Sequence, residues 1–109
     1  MIQELDSVIG DSATVYLAHT AAVGLNGMLR LDPKDGYILS IFVEEQSRGW
    51  GIGSKLIERA CEICKERGHE VIGLSVADDN PRARQLYRRL GFIKYASGHE
   101  GYTQFIKVL

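Results

Sequence analysis

Three glycines at alternate positions, Gly49, Gly51 and Gly53, stand within Arg48-Gly-Trp-Gly-Ile-Gly53, where an apolar run ending at Val43 gives way to helical spacing. Glycine lets a backbone approach a ligand closely, and the first amides of a helix have no intrahelical acceptor. The helix dipole puts its positive end at the same place, so the loop is an anion site that suits a pyrophosphate. Arg48 adds a charge-assisted contact. Two other phosphate loops are excluded by spacing. A Walker loop needs Gly-Lys before Ser or Thr, and the order here is Gly53-Ser54-Lys55. The dinucleotide fingerprint needs a third glycine three positions after the second, where this chain has Ser54 or Leu56. By themselves the glycines also fit a plain tight turn at a helix start.

What remains is Arg-x-x-Gly-x-Gly shortly after the strand-like Leu39-Ser-Ile-Phe-Val43, with Asn80-Pro-Arg-Ala-Arg-Gln-Leu-Tyr-Arg-Arg-Leu-Gly-Phe92 downstream. Together these two blocks resemble the acyl-CoA loop and the following Asn…Ala…Leu-Tyr…Leu-Gly-Phe segment of the GNAT superfamily of N-acetyltransferases. The resemblance spans roughly Tyr37 to Phe92 and implies acetyl-CoA as acyl donor. It also implies direct transfer of the acetyl group to a primary amine on a small-molecule or peptide acceptor. By this similarity the amides of Trp50, Gly51, Ile52, Gly53 and Ser54 hold the pyrophosphate, beside Arg48 and Gly49. Main-chain atoms of Ile41, Phe42 and Val43 meet the pantetheine arm, and an amide near Val43 holds the oxyanion. Asn80 contacts the cofactor near its reactive end, and Tyr87 is the general acid for the departing thiolate. A phenol is protonated near neutral pH and suits that role. Glu44 and Glu45, at the strand end, are candidates for the base and equally for solvated side chains.

The elements that must position these groups follow from periodicity. Val15–His19, Ala22–Leu31 and Tyr37–Val43 predict an antiparallel meander, with a turn at Asp32-Pro-Lys-Asp-Gly36. Ile52, Leu56, Ile57, Ala60, Cys61 and Cys64 recur at helical spacing and predict a helix to about Arg67, stopped by Gly68. Glu70–Ala77, nearly continuously apolar, predicts a strand buried on both faces. Asn80-Pro81 opens a second helix that Gly91 closes, and two strands, Phe92–Ala96 and Thr103–Val108, flank a turn at Ser97–Gly101. The expected fold is α/β or α+β, a mixed and mostly antiparallel sheet with packed helices, in one domain over residues 1–109. Family members usually carry a strand and one or two helices before the meander, which wall the acceptor site. Here only Met1 to Thr14 precedes it, so the acceptor pocket is open, degenerate or completed by a second subunit. A homodimer is one way to cover it.

Composition narrows the partners. Thirteen basic and fourteen acidic side chains give a formal charge of −1, which provides no global field for nucleic acid or an anionic membrane. No apolar stretch approaches the roughly 18 residues of a spanning helix. The start Met1-Ile-Gln-Glu-Leu-Asp lacks a secretory pattern, which makes the cytoplasm the expected location. Cys61 and Cys64 have the spacing of a redox or metal pair but share the apolar helix face with no second pair, so they are read as core and no metal is expected. His19, His69 and His99 are read as surface or turn residues, and Trp50 as a packing residue. Arg82, Arg84, Arg88 and Arg89 form a solvated basic face. An acyl-CoA-binding module that does not turn over, or that needs a partner, is the alternative function.

Overall fold

The computed structural model describes the backbone of residues 2–9, 12–21 and 24–109 and the side chains of residues 2, 14–20 and 24–109. In chain order the elements are β1 (Ile2–Ile9), β2 (Ser12–Ala21), β3 (Gly24–Asp32), β4 (Tyr37–Val43), a 3-10 turn (Glu45–Ser47), α1 (Ile52–Glu66), β5 (Val71–Ala77), α2 (Pro81–Arg89), β6 (Ile93–Ser97) and β7 (Tyr102–Val108). The strands form one mixed sheet in the order β1-β2-β3-β4-β5-β7-β6, antiparallel except where β4 lies beside β5. The expected meander is β2-β3-β4. The residues Ala22 and Val23, expected to open its second strand, lie outside the described residues. β1 was not expected, because the apolar residues of Ile2–Ile9 fall on both parities and show no alternation.

α1 buries Ile52, Leu56, Ile57, Ala60, Ile63 and Cys64, the stripe expected from helical spacing. They join one core with Val15 and Leu17 of β2, Leu29 and Leu31 of β3, and Ile72, Leu74 and Val76 of β5. Burying a leucine such as Leu56 contributes roughly 2 kcal/mol. The helix ends in a Schellman turn: the amides of Gly68 and His69 donate to the carbonyls of Lys65 and Cys64 at 3.0 Å each, with Gly68 at φ 88°. Tyr87 of α2, Phe92 and Phe105 belong to the same core, so both helices cover the same face of the sheet. This corrects the expectation for β5. Ile72, Leu74 and Val76 are buried, whereas Val71 and Ser75 on the alternate positions are exposed, because no described helix covers the second face. That face also presents Phe42 at 57% and Ile93 at 60% exposure.

The turn before β4 follows from its residues. The Asp32 carboxylate accepts from the amides of Lys34 and Asp35 at 3.0 and 3.2 Å, and the His69 ring nitrogen Nε2 lies 2.7 Å from the Pro33 carbonyl. His69 thus has the expected turn role. His19 does not: it is buried in β2 at 8% exposure, on the side of the strand that carries Val15 and Leu17.

Candidate active site

The site begins with a failure of pairing. β4 and β5 are joined only at Tyr37↔Gly73 and Ile38↔Leu74. Immediately beyond, the β3–β4 register slips, so that Leu31 faces Ile38 while Arg30 faces Ser40, leaving Leu39 as an extra residue in β4. A bulge bends its strand and increases its twist. It carries Leu39–Val43 away from β5 and opens a wedge at the C-terminal ends of the two strands, where ligands of parallel sheets characteristically bind. The amide of Glu44 donates to the Asn26 carbonyl of β3 at 2.8 Å. Alternation along β4 then turns the Phe42 amide toward β3 and those of Ile41 and Val43 toward the wedge. The side chains divide accordingly: Ile41 and Val43 pack on the helix-covered core, and Phe42 projects from the other face.

From Val43 the chain makes its 3-10 turn and reaches α1 through Arg48–Gly51. Gly49 and Gly51 have φ of 90° and 75°, a region that L side chains rarely adopt, and open space surrounds each where a Cβ would stand. Gly51 is the N-cap of α1 and no side chain caps it. The Lys55 amide closes the first helical bond to the Gly51 carbonyl at 3.1 Å. Among the described residues no acceptor meets the amides of Ile52, Gly53 and Ser54, and no acidic residue occupies the first turn. These are the conditions of an anion cradle, and they fit a pyrophosphate. Arg48 is exposed at its rim. Trp50 is 59% exposed, which corrects its reading as a packing residue: it stands between Gly49 and Gly51, which have no side chains and lie in open space, so no wall is there to pack on.

α2 is brought against this cradle by side-chain contact. A Cβ at Gly53 would lie 3.6 Å from Leu86 Cδ2 and 3.7 Å from Val43 Cγ2, so the first turn of α1, the end of β4 and the second turn of α2 meet at one point. Asn80 caps α2 by accepting from the Ala83 amide at 3.1 Å, as Asn-Pro predicts, and its Nδ2 can still donate. Tyr87 is locked by the end of the same helix. The amides of Gly91 and Phe92 donate to the carbonyls of Arg88 and Tyr87 at 3.1 and 2.9 Å, and the Tyr87 and Phe92 rings pack edge to face at 5.9 Å. This is the apolar contact that accompanies a Schellman turn, here fixing a phenol. Burial raises the Tyr87 phenol above its ordinary value of 10, so it holds its proton through neutral pH. No described residue hydrogen-bonds its hydroxyl.

Two buried polar residues near the loop, Asn26 and Ser47, had no sequence signal. They are 0% and 2% exposed. His19 lies close by, its imidazole shifted below 6.5 chiefly by burial, with the Asn26 side chain opposing the shift. Glu44 is half-buried and Glu45 exposed. Cys64 is fully buried and its thiol is pushed up to about 11, foremost by that burial, while burial likewise raises Cys61. Neither thiol is poised for nucleophilic chemistry. Among the described residues no group of three His, Cys, Asp or Glu is placed to hold a metal, and no helix is long and apolar enough to cross a membrane.

A mixed sheet whose parallel pair splays toward an uncapped helix start defines an acyl-CoA N-acyltransferase architecture. The chain belongs to the acetyltransferase (GNAT) family, whose pattern it matches over residues 7–92. It is 42% identical over 55 residues to the thialysine N-epsilon-acetyltransferase of Bos taurus, covering 50% of this chain and 32% of that one. It is 38% identical over 60 residues to N-alpha-acetyltransferase 30 of Schizosaccharomyces pombe, covering 55% and 40%. The chain therefore matches well under half the length of these relatives. Its fold superposes on the PaiA N-acetyltransferase of Thermoplasma acidophilum, solved in complex with coenzyme A, with a TM-score of 0.81 at 20% identity, covering 88% of this chain and 61% of that one.

Proposed function

We propose that this chain binds acetyl-CoA in the β4–β5 wedge and transfers the acetyl group directly to a primary amine of a small-molecule or peptide acceptor. The observation that carries the reading is the uncapped start of α1, its amides open to an anion at the mouth of the wedge. Relatives named for acetylating lysine-like and N-terminal amines support the acceptor class. When bound, acetyl-CoA supplies the acetyl group as a thioester. The Gly51–Ser54 backbone and Arg48 hold its pyrophosphate. The amides of Ile41 and Val43 offer main-chain contacts to the pantetheine arm, and a main-chain amide near Val43 takes the developing oxyanion, a preorganised donor that needs no reorientation. Asn80 offers Nδ2 beside the reactive end. Tyr87, neutral and fixed, gives its proton to the departing thiolate. A cytoplasmic location and a homodimer belong to the same proposal.

A second reading, an acyl-CoA-binding module that needs a partner for turnover, is favoured by the uncovered sheet face around Phe42 and Ile93, where no described residue walls an acceptor. Calorimetric titration with acetyl-CoA, followed by thiol release over a panel of primary amines, separates the two. Saturable binding with release supports catalysis, binding without release supports the module, and a folded chain that does not bind overturns both.

A further inference from the structure

Asn26 is a fully buried carboxamide on an otherwise apolar stretch of β3, between Leu25 and Gly27. Burying such a group is costly unless its hydrogen bonds are made. The carboxamide makes one, through Nδ2, and its Oδ1 meets no partner among the described residues; that bond and the residue's main-chain carbonyl both go to a single short segment. The Asn26 main-chain carbonyl accepts from the Glu44 amide at 2.8 Å, and the side-chain Nδ2 donates to Ser47 Oγ at 3.2 Å. Ser47 is buried as well, and it passes the restraint on in both directions. Its amide donates to the Glu44 carbonyl at 2.9 Å, and its carbonyl accepts from the Trp50 amide at 3.4 Å. Trp50 immediately precedes the N-cap Gly51. One residue of β3 is thus bonded to both ends of the 3-10 turn from which the anion loop springs.

We propose that Asn26 and Ser47 are positioning residues for the CoA-binding loop, acting as a latch that holds Arg48–Gly51 in the conformation that presents the α1 amides. The inference rests on the acetyl-CoA reading and names what sets the shape of that site. The physical need is specific. Gly49 and Gly51 carry no side chains to anchor them, and Arg48 and Trp50 are exposed, so apolar packing cannot define the loop. A directional bond between two buried polar groups can, because neither finds water as a substitute partner. The latch touches neither acyl group nor acceptor, so it governs affinity for the donor rather than the chemical step.

The test compares wild type, Ser47→Ala, Ser47→Thr and Asn26→Ala by calorimetry with CoA, by kcat at saturating acetyl-CoA, and by melting temperature without ligand. The expected result is CoA binding weakened about 3- to 10-fold by Ser47→Ala, the range of one net hydrogen bond. Ser47→Thr restores it, and kcat changes by less than about 2-fold. Asn26→Ala has the larger effect; if it does not fold, the Ser47 pair carries the test. Unchanged CoA affinity in a folded Ser47→Ala that melts lower than wild type overturns the proposal, leaving a purely structural bond. A fall in kcat with affinity intact overturns it too. Failure of wild type itself to bind CoA overturns the underlying acetyl-CoA reading instead, which keeps the two failures distinct.

Discussion

The two helices begin in opposite ways. α2 satisfies its own start: Asn80 accepts from the Ala83 amide, and Pro81 at the first position has no amide to satisfy. α1 starts at a glycine in the left-handed region, with no capping side chain and no acidic residue in its first turn. A cap contributes about 1 kcal/mol, so leaving α1 without one forgoes stability that α2 keeps. The contrast teaches where function lies. The helix that stabilises itself carries and fixes Tyr87, and the helix that does not leaves its first amides open, which the proposed function assigns to an anion.

The largest expected effect comes from closing the open start. Gly51→Asp puts a carboxylate at the N-cap, where it can accept from the α1 amides, and forces an L side chain to φ near 75°. CoA binding should weaken by at least about 100-fold in calorimetry, the range set by losing several charge-assisted contacts, with the circular dichroism of a folded protein retained. A variant that still binds CoA normally would sink the contrast between the helices. Tyr87→Phe, on the self-capped helix, should lower kcat about 100-fold or more while CoA affinity stays within about 2-fold, as expected for loss of a general acid. If turnover is unchanged across pH, Tyr87 is only a core residue.

Smaller effects concern stability. Asn80→Ala should cost about 1 kcal/mol and lower the melting temperature by about 4 °C. The open start of α1 already lacks a side-chain cap, so no equivalent loss is available there. The smallest effect involves His19, buried near the loop and sensitive to Lys55 in the first turn of α1. Its folded-state value lies below 6.5, so the unfolded chain binds the extra proton first. The stability from the neutral buried ring is complete above pH 6.5 and is lost as pH falls through the folded value. Melting temperature against pH should fall less steeply in that range for His19→Gln, and a parallel curve would remove His19 from the account.

Much of this architecture can be read from the residues alone, and where reading failed the cause is long-range. Local chemistry announces itself. Asn80-Pro81, Gly68 and Gly91 mark helix ends because their conformations and hydrogen bonds involve neighbours a few positions away. The alternate glycines and the Tyr87 segment are legible for the same reason. Trp50 and β5 were misread because exposure depends on which elements lie overhead, and both helices chose one face of the sheet. Asn26 was invisible. Its partners Glu44 and Ser47 are about twenty residues away, and a single asparagine in an apolar run carries no sign of whom it will meet.

By itself, then, the sequence determined the order and type of most elements, the start and end signals of α2, the glycine loop before α1 and the place of Tyr87 on α2, since each depends on period or on contacts within one turn. Tertiary structure decided the rest. The bulge at Leu39 that ends the β4–β5 pairing, the meeting of Val43, Gly53 and Leu86, the edge-to-face packing of Tyr87 and the buried Asn26–Ser47 bond all require strands and helices to be placed against one another. Such placements come from minimising exposed apolar area and satisfying buried polar groups over the whole fold, which no local window of residues records.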